Sequence, residues 1–114
     1  MLENEPEVYK LDIYIGESDH WQNKPLYLAL LELARRRGMA GGTVVRAIAG
    51  FGRNSHIRSS NLLELSTDLP ILVTFIDTPE KIKAFLPDVK SLVRDGLVTC
   101  HSVQVFHHAP QHQP

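Results

Sequence analysis

The chain has a single cysteine, Cys100, among its 114 residues. One thiol cannot close an internal disulfide, so nothing here calls for an oxidising compartment. No apolar run approaches the roughly 18–20 residues of a membrane-spanning helix. The opening stretch, Met1-Leu2-Glu3-Asn4-Glu5-Pro6-Glu7, lacks the basic start and apolar core of a secretory signal. These absences make the cytoplasm the expected compartment. Net charge is almost absent too, at −1, so no global field draws the molecule to nucleic acid or to an anionic membrane. Also lacking is any Asp or Glu between Arg46 and Asn61, a gap that bears on the candidate site.

What remains is an ordinary globular balance, 43% hydrophobic and 22% charged. The length fits one domain able to bury about two-thirds of its unfolded surface. Tyr9 to Ile15 alternates, with Leu11, Ile13 and Ile15 on one side, and predicts a strand with one buried face. Gly16 to Lys24 is a polar loop. Pro25 suits a first helical turn, Leu26, Leu30, Leu33 and Ala34 repeat at helical spacing, and Arg35-Arg36-Arg37-Gly38 closes the helix. Thr43 to Phe51, small and β-branched, reads as a second strand. Ile71 to Ile76 reads as a third. Asp77 or Thr78 caps a second helix with Pro79 in its first turn, and Pro87 inside the apolar stripe predicts a kink or break near Leu86. Leu97 to Phe106 reads as the fourth strand.

Strand–helix–strand twice over is a βαββαβ order. It predicts an α+β, ferredoxin-like sandwich: an antiparallel four-stranded sheet with two helices on one face. The domain spans 8–107, between flexible termini 1–7 and 108–114. The second sheet face, expected to carry Tyr14, Val44, Ala47, Thr74 and Gln104, has the mixed character of a surface that packs in an oligomer.

The unusual chemistry sits between the halves, in Gly50-Phe51-Gly52-Arg53-Asn54-Ser55-His56-Ile57-Arg58. It is not a dinucleotide loop, because position 55 is serine where a third glycine is needed, and it is not a P-loop. Gly50 and Gly52 either let a hairpin twist or bring backbone N–H groups close to a ligand. In the second case Arg46, Arg53 and Arg58 supply anion-matched donors, with Glu17 and His56 as further candidates. Glu17 to Trp21 is either an exposed loop with one anchoring aromatic or part of a cleft at the helix start. Arg46 is either solvated or an anion ligand. The segment Gly52 to Ser60, with little apolar anchoring, is expected to be the least ordered inside the domain.

Other chemistries find no support. The six histidines lack the spacing of a structural zinc site, so no metal and no cofactor is expected. Cys100 reads as core packing and Arg35–Arg37 as a solvated helix end. Pro70 to Ile76 lacks the basic–aromatic pattern of the RNA-binding version of this fold, which removes nucleic acid. No nucleophile–base cluster marks an enzyme.

Three stretches together resemble one family. They are Ile13-Tyr14-Ile15-Gly16-Glu17-Ser18-Asp19 with Pro25-Leu26-Tyr27, then Gly41-Gly42-Thr43-Val44-Val45-Arg46-Ala47-Ile48-Ala49-Gly50-Phe51-Gly52, and Leu65-Ser66-Thr67-Asp68-Leu69-Pro70 followed by Ile76-Asp77-Thr78-Pro79-Glu80-Lys81-Ile82. The pattern is similar to the bacterial and archaeal PII-like family catalogued as domain of unknown function 190, over roughly Tyr9 to Phe106. The resemblance implies a homotrimer and kinship with PII signalling proteins, which bind adenine nucleotides between subunits and touch targets through a long loop, here about 52–65. It implies a small anionic effector such as an adenine nucleotide, and a protein target of the kind a membrane transporter or channel would be. The chain departs from PII proper at Asp77-Thr78-Pro79-Glu80, where a second glycine-rich phosphate loop would lie. It also has no tyrosine between Gly50 and Pro70 to be uridylylated. Two rivals stand beside this reading: a small enzyme or metal-handling protein on the same fold, and a partner-binding module without a small ligand.

Overall fold

The structure, a computed structural model, describes residues 1–52, 56–60 and 68–109. The strands are β1 (Val8–Gly16), β2 (His20–Trp21), β3 (Lys24–Pro25), β4 (Gly42–Arg46), β5 (Ala49–Gly50), β6 (Arg58–Ser59), β7 (Pro70–Asp77) and β8 (Leu97–Val103), and the helices are α1 (Leu26–Arg36) and α2 (Pro79–Leu92). A four-stranded antiparallel sheet runs in the order β4-β7-β1-β8. This is the expected ferredoxin-like arrangement. Leu11, Ile13 and Ile15 of β1 and Ile71, Val73 and Phe75 of β7 form one buried layer with Leu26, Ala29, Leu30 and Ala34 of α1 and Ile82, Phe85, Val89 and Leu92 of α2. Phe75 and Phe85 meet edge to face at 5.4 Å and 83°, a pairing that adds about 0.5–1.5 kcal/mol to area burial.

The helix ends follow local chemistry. Gly38 takes φ +74, and Met39 N–H reaches back to the Ala34 carbonyl at 3.1 Å, which closes α1 in a left-handed cap. The Thr78 hydroxyl accepts the Lys81 N–H at 3.4 Å and caps α2. Buried Asp77 accepts from Thr78 N at 2.7 Å and from Ala40 N at 2.7 Å, and so ties the end of β7 to the turn before β4. The break expected near Leu86 is not present. α2 runs through Pro87, flanked by Phe85 and Val89 at 1% and 0% exposure. Their burial offsets the hydrogen bond that proline removes.

Three boundaries differ from expectation for identifiable reasons. The second strand does not run on to Phe51. β4 stops at Arg46, opposite Ile71, because the next residue on β7, Pro70, has no N–H to give. Its carbonyl instead accepts Ala47 N–H at 2.8 Å, and the chain turns into a separate ribbon of β5 and β6, paired Ala49↔Ser59 and Gly50↔Arg58. β8 ends at Val103, opposite Val8, the first residue of β1; beyond it the described residues offer no partner strand. Pro25 closes a hairpin with His20 and sits just before α1, with Gln22 and Asn23 at φ 48 and 66 making the turn.

Register also corrects the second sheet face. Val44 packs against the core, so its neighbours Thr43 and Val45 take the open side. Two rows cross all four strands there: Val45–Leu72–Tyr14–Leu97 and Thr43–Thr74–Asp12–Thr99. Ala47 and Gln104 lie outside the sheet. Cys100 is exposed rather than in the core. At the termini, Leu2–Asn4 form one 3-10 turn, whose Leu2 N–H donates to His108 Nδ1 at 3.1 Å. Much of the 52–65 loop lies outside the described residues.

Candidate functional site

Gly16 at the end of β1 faces Pro70 at the start of β7, and the chain on either side is stitched together. Glu17 N–H donates to the Leu69 carbonyl at 2.8 Å, and Ser18 N–H donates to Asp68 Oδ1 at 3.0 Å. Leu69 N–H approaches Glu17 Oε1 at 3.5 Å. A Cβ at Gly16 would lie 2.9 Å from Asp68 Oδ1, so this carboxylate occupies the room that any other residue at 16 would need.

Two arginines converge on these carboxylates. Arg46, the last residue of β4, places Nη1 2.9 Å from Glu17 Oε2. Arg58, the first of β6, places Nη2 3.9 Å from Asp68 Oδ2. Both guanidinium groups keep solvent contact, with side chains 61% and 37% exposed. Exposed pairs of this kind contribute about 0–1 kcal/mol, so a better anion can compete for either arginine. The Ser18 N–H bond holds the Asp68 carboxyl below its usual range; burial opposes this, while the Ser18 hydroxyl, the Arg58 charge and the Glu17 N–H reinforce it.

Arg46, Arg58, Glu17 and Gly50 are therefore brought to one end of the sheet. Gly50 pairs with Arg58, and a Cβ there would meet Pro70 Cγ at 2.9 Å, so this glycine serves close packing of the ribbon. Gly52 has open space where a Cβ would be. His56 is exposed beside the ribbon. Arg53 lies outside the described residues. The acid-free stretch from 46 to 61 does not make an acid-free site, because the fold supplies Glu17 and Asp68 from elsewhere. Asp68 is the residue that sequence reasoning missed. Its partner Ser18 is 50 positions away, and only a strand pairing of β1 with β7 reveals the contact.

On the other side of the same loop, Trp21 packs against the core, as an anchoring aromatic should. It lines an open cleft of about 520 Å³ with His20, Leu26, Leu92 and Arg94. Among the described residues no group of three or more His, Cys, Asp or Glu side chains is placed to hold a metal, and no helix is long and apolar enough to cross a membrane.

The fold is the ferredoxin-like one of solved PII-like proteins. The solved structure of CPII from Thiomonas intermedia K12 bound to ADP and bicarbonate superposes with a TM-score of 0.58 at 23% identity, over 89% of this chain and 90% of that one. A second, described as a nitrogen regulatory PII-like protein bound to ADP, AMP and bicarbonate, gives 0.60 at 21% identity over the same shares. Among curated proteins, a UPF0166 protein of Aquifex aeolicus (strain VF5) is 43% identical over 97 residues, 85% of this chain and 91% of its own length. A UPF0166 protein of Methanocaldococcus jannaschii is 28% identical over 97 residues, 84% and 89% of the two chains. Residues 8–105 match the family described as "Uncharacterized ACR", domain of unknown function 190, and the chain belongs to that family.

Proposed function

We propose that this protein is a non-enzymatic, cytoplasmic regulator of the PII type, working as a homotrimer. It binds a small anionic effector in a cleft between subunits and signals through the β5–β6 ribbon and the loop that continues it to a protein target such as a membrane transporter or channel. The observation that carries the reading is the pair Arg46 and Arg58, solvent-accessible and gathered at the sheet end from which the ribbon departs. The ligands named for the similar structures, ADP, AMP and bicarbonate, supply the effector class. Adenine nucleotides carry the phosphate oxygens that guanidinium groups match. An effector that binds one ribbon arrangement better than another shifts the population by that difference, and no covalent chemistry is needed.

Calorimetry with ADP, AMP and bicarbonate tests this on the wild type and on Arg46→Ala and Arg58→Ala. Binding by the wild type with a loss of about tenfold, or roughly 1.4 kcal/mol, in each variant is expected. Absence of binding by all three ligands, or unchanged affinity in both folded variants, removes the reading.

A further inference from the structure

We propose that Glu17 and Asp68 are built-in surrogate anions: they occupy Arg46 and Arg58 in the unliganded protein, clamp the ribbon to the β1–α1 loop, and are displaced when an external anion binds. The competition part rests on the function proposed above; the clamp does not.

Four structural features meet at this end of the sheet. Each arginine is matched to its own carboxylate, Arg46 to Glu17 at 2.9 Å and Arg58 to Asp68 at 3.9 Å. The two carboxylates are themselves fixed from below by backbone. Asp68 takes the Ser18 N–H at 3.0 Å, and Glu17 Oε1 faces the Leu69 N–H at 3.5 Å while the Glu17 N–H bonds the Leu69 carbonyl at 2.8 Å. The arginines, by contrast, lie at the root of the ribbon and within it. Arg46 lies where β4 leaves the sheet, and Arg58 lies within the two-residue strand β6. Finally, the ribbon buries little apolar surface: Ile48, Phe51 and Ile57 are 79%, 68% and 57% exposed. Ala47 N–H to the Pro70 carbonyl and the packing of Gly50 on Pro70 join it to β7. A segment with so little buried apolar area opens at low free-energy cost, so the two ion pairs add to what holds it closed.

The chemistry of displacement is exchange of one oxyanion for another on the same guanidinium. A phosphate or carboxylate that engages Arg46 and Arg58 together releases Glu17 and Asp68 to solvent. It thereby uncouples the ribbon from the β1–α1 loop. Effector affinity is then set partly by the protein's own carboxylates.

The test compares Glu17→Gln and Asp68→Asn, near-isosteric changes that keep an acceptor oxygen, with Glu5→Gln. The last removes the same charge from the opposite end of the sheet. Two readouts are taken: hydrogen exchange of residues 47–50 and 58–60 without ligand, and ADP affinity by calorimetry. Exchange several-fold faster and ADP binding about five- to tenfold tighter in the first two variants, with Glu5→Gln matching the wild type, is the expected result. Unchanged exchange overturns the clamp whether or not ADP binds. If ADP binds the wild type and Arg46→Ala weakens it, but neither first variant binds more tightly than Glu5→Gln, the competition is overturned and the proposed function stands. If ADP, AMP and bicarbonate bind none of the proteins while exchange is accelerated, the clamp stands and the proposed function fails.

Discussion

Thr74 and Asp12 face each other across β7 and β1, and the threonine hydroxyl donates to the Asp12 carboxylate at 2.8 Å on the sheet face that neither helix covers. Asp12 is 5% exposed, with Lys10 Nζ 3.7 Å away. A carboxylate this enclosed needs its donors, because leaving a buried acceptor unpaired costs about 1–3 kcal/mol. Thr74→Val, which keeps shape and removes the hydroxyl, is expected to destabilise the protein by that amount in urea titrations at fixed protein concentration. A midpoint equal to that of the wild type would show that the hydroxyl is dispensable.

The glycines separate packing from openness. At Gly42 a Cβ would stand 2.5 Å from Phe75 Cε1 and 3.0 Å from Leu31 Cδ2, whereas at Gly52 it would meet nothing within 4 Å. Gly42→Ala forces a buried aromatic ring to move and should cost about 1–3 kcal/mol. Gly52→Ala should leave the urea midpoint within about 0.5 kcal/mol of the wild type. Equal effects at both positions would contradict the packing described around Phe75.

Much of this fold is legible in the sequence because β1 alternates and β7 is a nearly continuous apolar run. Leu11, Ile13 and Ile15 announce the buried layer by a period of two, and Gly38 and Thr78 announce the helix ends by residue type. What is not legible depends on pairing. The length of β4 is set by Pro70, a residue in another strand, and a shift of one place exchanged Val44 for Val45 on the open face. The site shows the same division. Arg46 and Arg58 stand out as cations near glycines, but the carboxylates they meet come from the ends of β1 and β7. Nothing local to 46–58 reveals them.

The row Val45–Leu72–Tyr14–Leu97 crosses the open face, with Tyr14, Val45 and Leu97 at 44%, 50% and 57% exposure. Three protruding apolar side chains in one line suit a surface covered by another copy of the chain. Light scattering is expected to give a trimer mass at micromolar concentration, and Tyr14→Glu is expected to shift it to monomer, because an unpaired carboxylate would have to be buried. A wild-type monomer counts directly against the trimer. A trimeric Tyr14→Glu protein would move the interface away from this row.

Cys100 offers a chemical readout of the opposite face. Partial desolvation of its sulfur against the protein pushes the thiol up, the Asp12 carboxylate adds to this, and Lys83 pulls the other way. Only the thiolate reacts with alkylating agents. Iodoacetamide should therefore modify the native protein at pH 8 more slowly than the urea-unfolded chain, and Asp12→Asn should narrow the difference. Equal rates in the folded and unfolded protein would remove the environmental effect.

Asp68 ties the candidate site to stability through pH. Its carboxyl is held below the ordinary value of 3.8, first by the Ser18 N–H. In the unfolded chain the group takes up a proton at higher pH than in the native protein, so the unfolded state binds more protons across that interval. Stability from ionised Asp68 is therefore complete above the unfolded value and is lost as pH falls through the folded one. With its side chain 31% exposed and its Arg58 contact long, Asp68→Asn should cost roughly 1 kcal/mol at neutral pH. The difference between wild type and variant should shrink on acidification from about pH 5 towards pH 2. Urea midpoints measured across that range at constant ionic strength check the sign. A difference that grows as pH falls would mean that Asp68 is not held ionised by Ser18, and the anchoring of the clamp at that residue would fall with it.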